Sequence, residues 1–172
     1  MTDTDTSHLQ VLPLRVEADV TSLRHPIHPN LPKFHFVLLL IGPRASGKGC
    51  LISNLLLNPS MLHRENYQSC HYISPTIYND RTAAHIRNEF EGTLFDRYSD
   101  KIINNLVSYQ KQFSQDEKER QILVVDDCCG YKTPALDALS TRSRHNNISI
   151  ILSTQQCKSV RKIMRNQATN VI

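Results

Sequence analysis

The chain has no tryptophan, only five glycines among its 172 residues, and 6% aromatic side chains. With 40% hydrophobic and 21% charged residues, that composition excludes a fibrous or disordered chain and fits one globular domain. No apolar run approaches the roughly 20 residues that span a bilayer. The opening MTDTDTSHLQ lacks the basic and apolar regions of a secretory signal. Five cysteines are an odd number, Cys128 and Cys129 are adjacent, and no C-x-x-C pair exists, which argues against a zinc ribbon or a thioredoxin-like centre. Reduced thiols in an intracellular protein, cytoplasmic or nuclear, are the expectation. Neither charge sign dominates: a net +4, with eight histidines uncounted, permits a polyanionic partner without requiring one.

What is present is an alternation of apolar runs and helical patterns. Residues 1–33 read as an extended polar lead-in, with Pro26, Pro29 and Pro32 barring a helix and a short edge strand at Leu9 to Val16. From 34 to 172 the pattern is that of one domain. FHFVLLLI (34–41) reads as a strand buried on both faces, and Leu51, Ile52, Leu55 and Leu56 predict a helix from Lys48 to Leu57 that stops before Asn58-Pro59. SCHYIS (69–74) predicts a second strand. Helices follow from Asp80 to about Glu91 and from Asp100 to about Gln112. QILVVDDCC and ISIILSTQQ predict two further strands, each closed by polar residues. Strands alternating with helices predict an α/β fold with a mostly parallel central sheet and helices on both faces.

In such a sheet, ligands bind where the carboxyl ends of the strands converge. Between the first strand and its helix lies GPRASGKGC: Gly42, Pro43, Arg44, Ala45, Ser46, Gly47, Lys48, Gly49 and Cys50. The spacing G-x-x-x-x-G-K is that of a P-loop, whose backbone N–H groups surround phosphate oxygens while the lysine reaches the β and γ phosphates. Asp126 closes ILVVD where a metal-holding acid belongs, and Asp127 follows where a carboxylate that orients or deprotonates the attacking water is found. Gln155 closes the next strand, where an amide can sense the γ phosphate or the water; an exposed loop amide is the equally weighted alternative. ATP and Mg²⁺ are the expected cofactors.

FVLLLIGPRASGKGCLISNLL, YISPT, ILVVDD and RSRHNNISIILSTQQCKSVRKIMRNQATNVI together resemble the genome-packaging ATPases of large double-stranded DNA viruses, the poxvirus-type branch of the FtsK/HerA-like translocases. The resemblance implies a P-loop NTPase fold of the RecA-like, additional-strand type. It also implies ATP-driven movement of duplex DNA by a homo-oligomeric ring, and a viral factory or virion as the setting. An arginine reaching the neighbouring protomer's nucleotide is implied as well, with Arg142 and Arg144 as candidates and Arg144 preferred. Because such proteins usually continue through further strands, the 34–172 domain is expected to lack terminal strands, although ATNVI itself suggests one more strand.

The main departure is Gly49, which stands where a P-loop Ser or Thr ligates the metal; Cys50 is a poor ligand for a hard cation. Phosphate binding rests on backbone and lysine and tolerates this loss better than hydrolysis does. A hydrolysis-impaired nucleotide-binding assembly subunit is therefore the alternative reading, and a small-molecule P-loop kinase a weaker one, since no arginine-rich lid is visible. Finally, Lys158, Arg161, Lys162 and Arg165 fall at i, i+3, i+4 and i+7, so a helix there would gather them on one face able to contact DNA phosphates.

Overall fold

The computed structural model describes residues 23–62, 64–90, 92–128 and 133–172. The strand expected at Leu9 to Val16 lies outside them. Six strands form one sheet, β1 (Val37–Ile41), β2 (Ser69–Ile73), β3 (Leu94–Phe95), β4 (Gln121–Asp126), β5 (Ile148–Thr154) and β6 (Asn170–Val171), in the order β3-β2-β4-β5-β1-β6. Every pairing is parallel. The helices are α1 (Lys48–Leu57), α2 (Ala84–Glu89), α3 (Asp100–Gln110), α4 (Pro134–Thr141) and α5 (Lys162–Gln167).

Side chains alternate across a strand, and that alternation divides the core into two layers. Leu38 and Leu40 of β1, Cys70 and Tyr72 of β2, and Ile122 and Val124 of β4 pack under Ile52, Leu55 and Leu56 of α1 and Ile86 of α2. Val37 and Leu39, Ile73, Leu123 and Val125, and Ile148 and Ile150 face α3, α4 and α5 on the other side. Burial on both faces explains why β1 and β4 read as unbroken apolar runs. Residues from the lead-in also lie on the core: Ile27 and Leu31 pack against the α1 layer, and His25 exchanges hydrogen bonds with the Asn66 side chain.

Helix α1 has the expected bounds. Gly47, its N-cap, sits in the left-handed region (φ 86°) and offers no side-chain cap, so the first backbone N–H groups of α1 face the loop. The expected helix from Asp80 is a 3₁₀ turn, Arg81–Ala83, followed by the short α2. Arg87 reaches back to the carbonyls of Ile77 and Asp80 and pins the preceding chain as a turn. Two elements were not anticipated. β3 has two residues and no readable period. α4 did carry a signal, Pro134 at its first turn with Leu136 and Leu139 three residues apart. The apolar rise at the C-terminus is β6, which pairs with β1.

Candidate nucleotide site

β5 lies between β1 and β4, the additional-strand arrangement, so the loop after β1 and the acids after β4 are held apart by the width of one strand. The carboxyl ends of β1, β4 and β5 open onto a cavity of about 560 Å³. Residues 44–50 of the glycine loop, Asp126, Asp127 and Gln155 line it, together with Thr76, Asn79 and Asp80 from the turn after β2. Lys48, Asp126, Asp127 and Gln155, read from three separate stretches of sequence, thus meet in one place.

The loop is folded on itself. Lys48 Nζ donates to the carbonyl oxygens of Gly42 and Pro43 at 2.7 and 2.9 Å. Gly42 N donates to Thr154 O at 3.1 Å, tying the loop to the end of β5. A Cβ on Gly42 would stand 2.6 Å from Ser46 Oγ, which is why this position takes only glycine without displacing Ser46. Cys50 is exposed at the cavity, and Gly49, the second residue of α1, offers no side-chain oxygen.

Asp126 ends β4 on the α1 side of the sheet. Burial pushes its carboxyl above the ordinary range and the neighbouring Asp127 adds to this, while hydroxyls of Ser153, Ser74 and Tyr72 oppose them. Ser74 and Tyr72 each approach Asp126 Oδ2 at 3.4 Å. Ser153 is near enough to favour the ionised carboxylate, yet its fully buried Oγ meets no hydrogen-bond geometry with any described residue. Asp127 leaves the strand with φ 51°, its N–H bonded to Ser153 O at 3.0 Å. That turn carries its carboxylate over the end of β5, where Gln155 Nε2 donates to both carboxylate oxygens at 2.9 and 3.2 Å. Sequence reasoning placed both residues at strand ends but did not foresee this contact, which depends on β5 being the neighbour of β4.

The donor set suits a hard cation: carboxylates of Asp126 and Asp127 and the hydroxyl of Thr76 are all oxygen ligands, with no soft sulfur required. Among the described residues no cluster of three His, Cys, Asp or Glu side chains forms a metal site independent of a nucleotide.

The arginine candidates take a definite place in the fold, and one other expectation is revised. Arg142 and Arg144 precede β5 and so lie at the amino edge of the parallel sheet, with the cavity at its carboxyl edge, about 20 Å away across a seven-residue strand. Arg144 lines a different cavity, of about 470 Å³, with Phe34, His35 and Arg120, so neither arginine reaches the nucleotide cavity of its own chain. The basic residues after β5 do not form one helical face either. Lys158 lies in a 3₁₀ turn (Cys157–Ser159), Val160 and Arg161 are extended, and α5 begins only at Lys162. The break is held by side chains: Arg161 pairs with the buried Asp137 of α4, and Arg165 donates to the carbonyls of Cys157 and Val160.

The fold is shared with solved structures. The genome-packaging NTPase B204 of Sulfolobus turreted icosahedral virus 2, in complex with AMP, superimposes with a TM-score of 0.54 at 20% identity over 77% of this chain and 71% of that one. B204 from Sulfolobus turreted icosahedral virus, described as a DNA-packaging ATPase, gives 0.55 at 22% identity over 78% and 72%. EssC (ATPases 2 and 3) from Geobacillus thermodenitrificans gives 0.59 at 13% identity over 81% of this chain and 33% of that one. A search of curated protein sequences gives no match. The profile of the poxvirus A32 protein matches residues 27–172, nearly the whole of the domain just described. With that match covering more than four-fifths of the chain, the chain belongs to the poxvirus A32 protein family, and its P-loop and additional-strand sheet share their fold with the viral packaging ATPases above.

Proposed function

We propose that the protein binds ATP in the cavity at the carboxyl edge of the sheet and couples its hydrolysis to movement of double-stranded DNA during genome packaging. The convergence of Lys48, Asp126, Asp127 and Gln155 on that cavity carries the reading. The uncapped start of α1 and the loop N–H groups receive the phosphates, and Lys48 exchanges its two loop carbonyls for phosphate oxygens. Asp126, with Asp127 beside it, would hold Mg²⁺, which when bound would supply positive charge against the phosphates. Asp127 accepts a proton from the attacking water, or orients it, once Gln155 releases part of its hold on that carboxylate. In this scheme the amide of Gln155 links the state of the γ phosphate to the segment after β5.

DNA is the proposed polymer and a ring of identical subunits the proposed assembly, acting in the compartment where virions are built. Arg144 serves only across a subunit boundary, at the nucleotide of a neighbour, because its own cavity lies at the opposite sheet edge. Lys158 and Lys162 are exposed on the carboxyl edge and are the first candidates for phosphate contacts, whereas Arg161 and Arg165 have structural partners. Among the described residues no helix is long and apolar enough to cross a membrane.

The test is steady-state ATP turnover with and without duplex DNA. Turnover that rises with DNA and falls at least about 100-fold in Asp127→Asn supports the scheme. Nucleotide binding with no turnover under any condition would favour the assembly-subunit reading that Gly49 motivates.

A further inference from the structure

The P-loop lacks its hydroxyl at Gly49, but the structure gathers other hydroxyls beside Asp126. Tyr72 and Val124 lie in the core layer beneath α1, and by strand alternation Ser74 and Asp126, each two residues further on, turn toward the same layer. Ser74 Oγ lies 3.4 Å from Asp126 Oδ2 and 3.3 Å from Thr76 Oγ1. These are long beside the ~2.7–2.8 Å of a well-formed O–H···O bond, so the oxygens keep lone pairs for another ligand. Ser153, opposite Asp126 in the β4–β5 register, adds a fully buried hydroxyl beside the same carboxylate.

Of the hydroxyls linked to Asp126 through β2 and the turn after it, Tyr72, Ser74 and Thr76, only Thr76 is both exposed and part of the cavity lining; Ser46 of the loop is also exposed on that lining. Ser74 and Tyr72 are buried, and Ser46 of the loop is turned in toward Gly42. Thr76 is also firmly placed. Its carbonyl accepts from Asn79 N and Asp80 N at 2.9 and 2.8 Å, and Arg87 of α2 clamps the carbonyls of Ile77 and Asp80 at 2.7 Å each.

We propose that Thr76 Oγ1 is a metal ligand of the nucleotide complex, taking the place of the hydroxyl missing at Gly49, with Ser74 holding Thr76 and Asp126 toward the same ion. The inference rests on the nucleotide reading above. A hard cation accepts a neutral hydroxyl as readily from a turn as from a helix N-terminus, provided the oxygen is presented. The missing hydroxyl would be supplied by the turn after β2, the strand next to the one that carries the acid.

The experiment separates metal from nucleotide. Affinity for a nonhydrolysable ATP analogue is measured in EDTA, and Mn²⁺ affinity of the resulting complex is measured by electron paramagnetic resonance. The variants are Thr76→Val, Thr76→Ser, Gly49→Thr and Thr76→Val combined with Gly49→Thr. Thr76→Val is expected to lose roughly 10-fold or more in Mn²⁺ affinity, the scale on which a lost metal-site partner is felt. Thr76→Ser retains it, Gly49→Thr restores it in the Thr76→Val background, and the affinity in EDTA is the same for Thr76→Val and Thr76→Ser as for the wild type. Wild-type Mn²⁺ affinity in Thr76→Val overturns the inference, as does an equal gain from Gly49→Thr whether or not Thr76 is present. Absence of analogue binding by the wild type in EDTA overturns the nucleotide reading itself, and is distinguished by that first measurement.

Discussion

Arg161→Ala should destabilise the protein through Asp137 rather than through any ligand. Asp137 Oδ2 is paired with Arg161, its other oxygen is buried without a hydrogen-bond partner, and its side chain is 8% exposed. Removing one member of a buried pair costs about 3–5 kcal/mol because a charge is left uncompensated. Here the Arg161 side chain is 52% exposed, so water can enter where the guanidinium was, and about 1–2 kcal/mol is the better expectation. For a chain of this size that is a fall in Tm of roughly 2–8 °C, readable by thermal denaturation. Asp137→Asn should recover most of the loss in the Arg161→Ala background, because the amide carries no charge to strand. The pH dependence has a definite sign. Burial raises the Asp137 carboxyl above its ordinary value and Arg161 opposes this. Without Arg161 the folded state holds the proton more tightly still. The deficit is therefore full above the raised value and shrinks as pH falls through it. An unchanged Tm in Arg161→Ala, or strictly additive losses in the double variant, would refute the reasoning and return Arg161 to the pool of free phosphate contacts.

Lys48→Ala should weaken ATP binding by on the order of 1.5–3 kcal/mol, the value of a charge-assisted hydrogen bond, or about 10- to 150-fold in Kd. Unaltered affinity in calorimetry would remove Lys48 from the phosphates. His71, on β2, is held neutral by burial, with its pKa lowered to about 4 and its Nδ1 buried without a partner. The unfolded chain takes up that proton first, so stability should be full above about pH 6.5 and decline as pH falls toward 4, by up to ~1.4 kcal/mol per pH unit. A His71→Leu variant whose denaturation midpoint keeps the same slope across that window would show that other groups carry it.

The features legible in the sequence are those that local chemistry dictates. A left-handed residue ahead of an uncapped helix requires a glycine, and Gly47 stands there. Strands buried on both faces must be apolar throughout, which marked β1, β4 and β5 and, at their ends, Lys48, Asp126, Asp127 and Gln155. The family resemblance rested on the same stretches. Contacts between distant stretches were not legible, because strand order is decided by pairings between segments far apart in the chain and leaves no mark in local periodicity. Only the insertion of β5 between β1 and β4 sets Gln155 on the carboxylate of Asp127. Only the pairing of β2 with β4 brings Ser74 to Asp126 and Thr76 into the same cavity, where YISPT by itself is merely a strand and a turn. The basic residues after β5 have helical spacing, yet an ion pair to α4 holds Arg161 in extended backbone and breaks the stripe, since the gain from neutralising a buried Asp137 outweighs a weak local preference for helix. Arg144 was expected to serve a neighbouring protomer, and only the fold shows where it stands: in a parallel sheet the start and the end of a strand lie at opposite edges, so Arg144 sits across the sheet from the nucleotide cavity of its own chain.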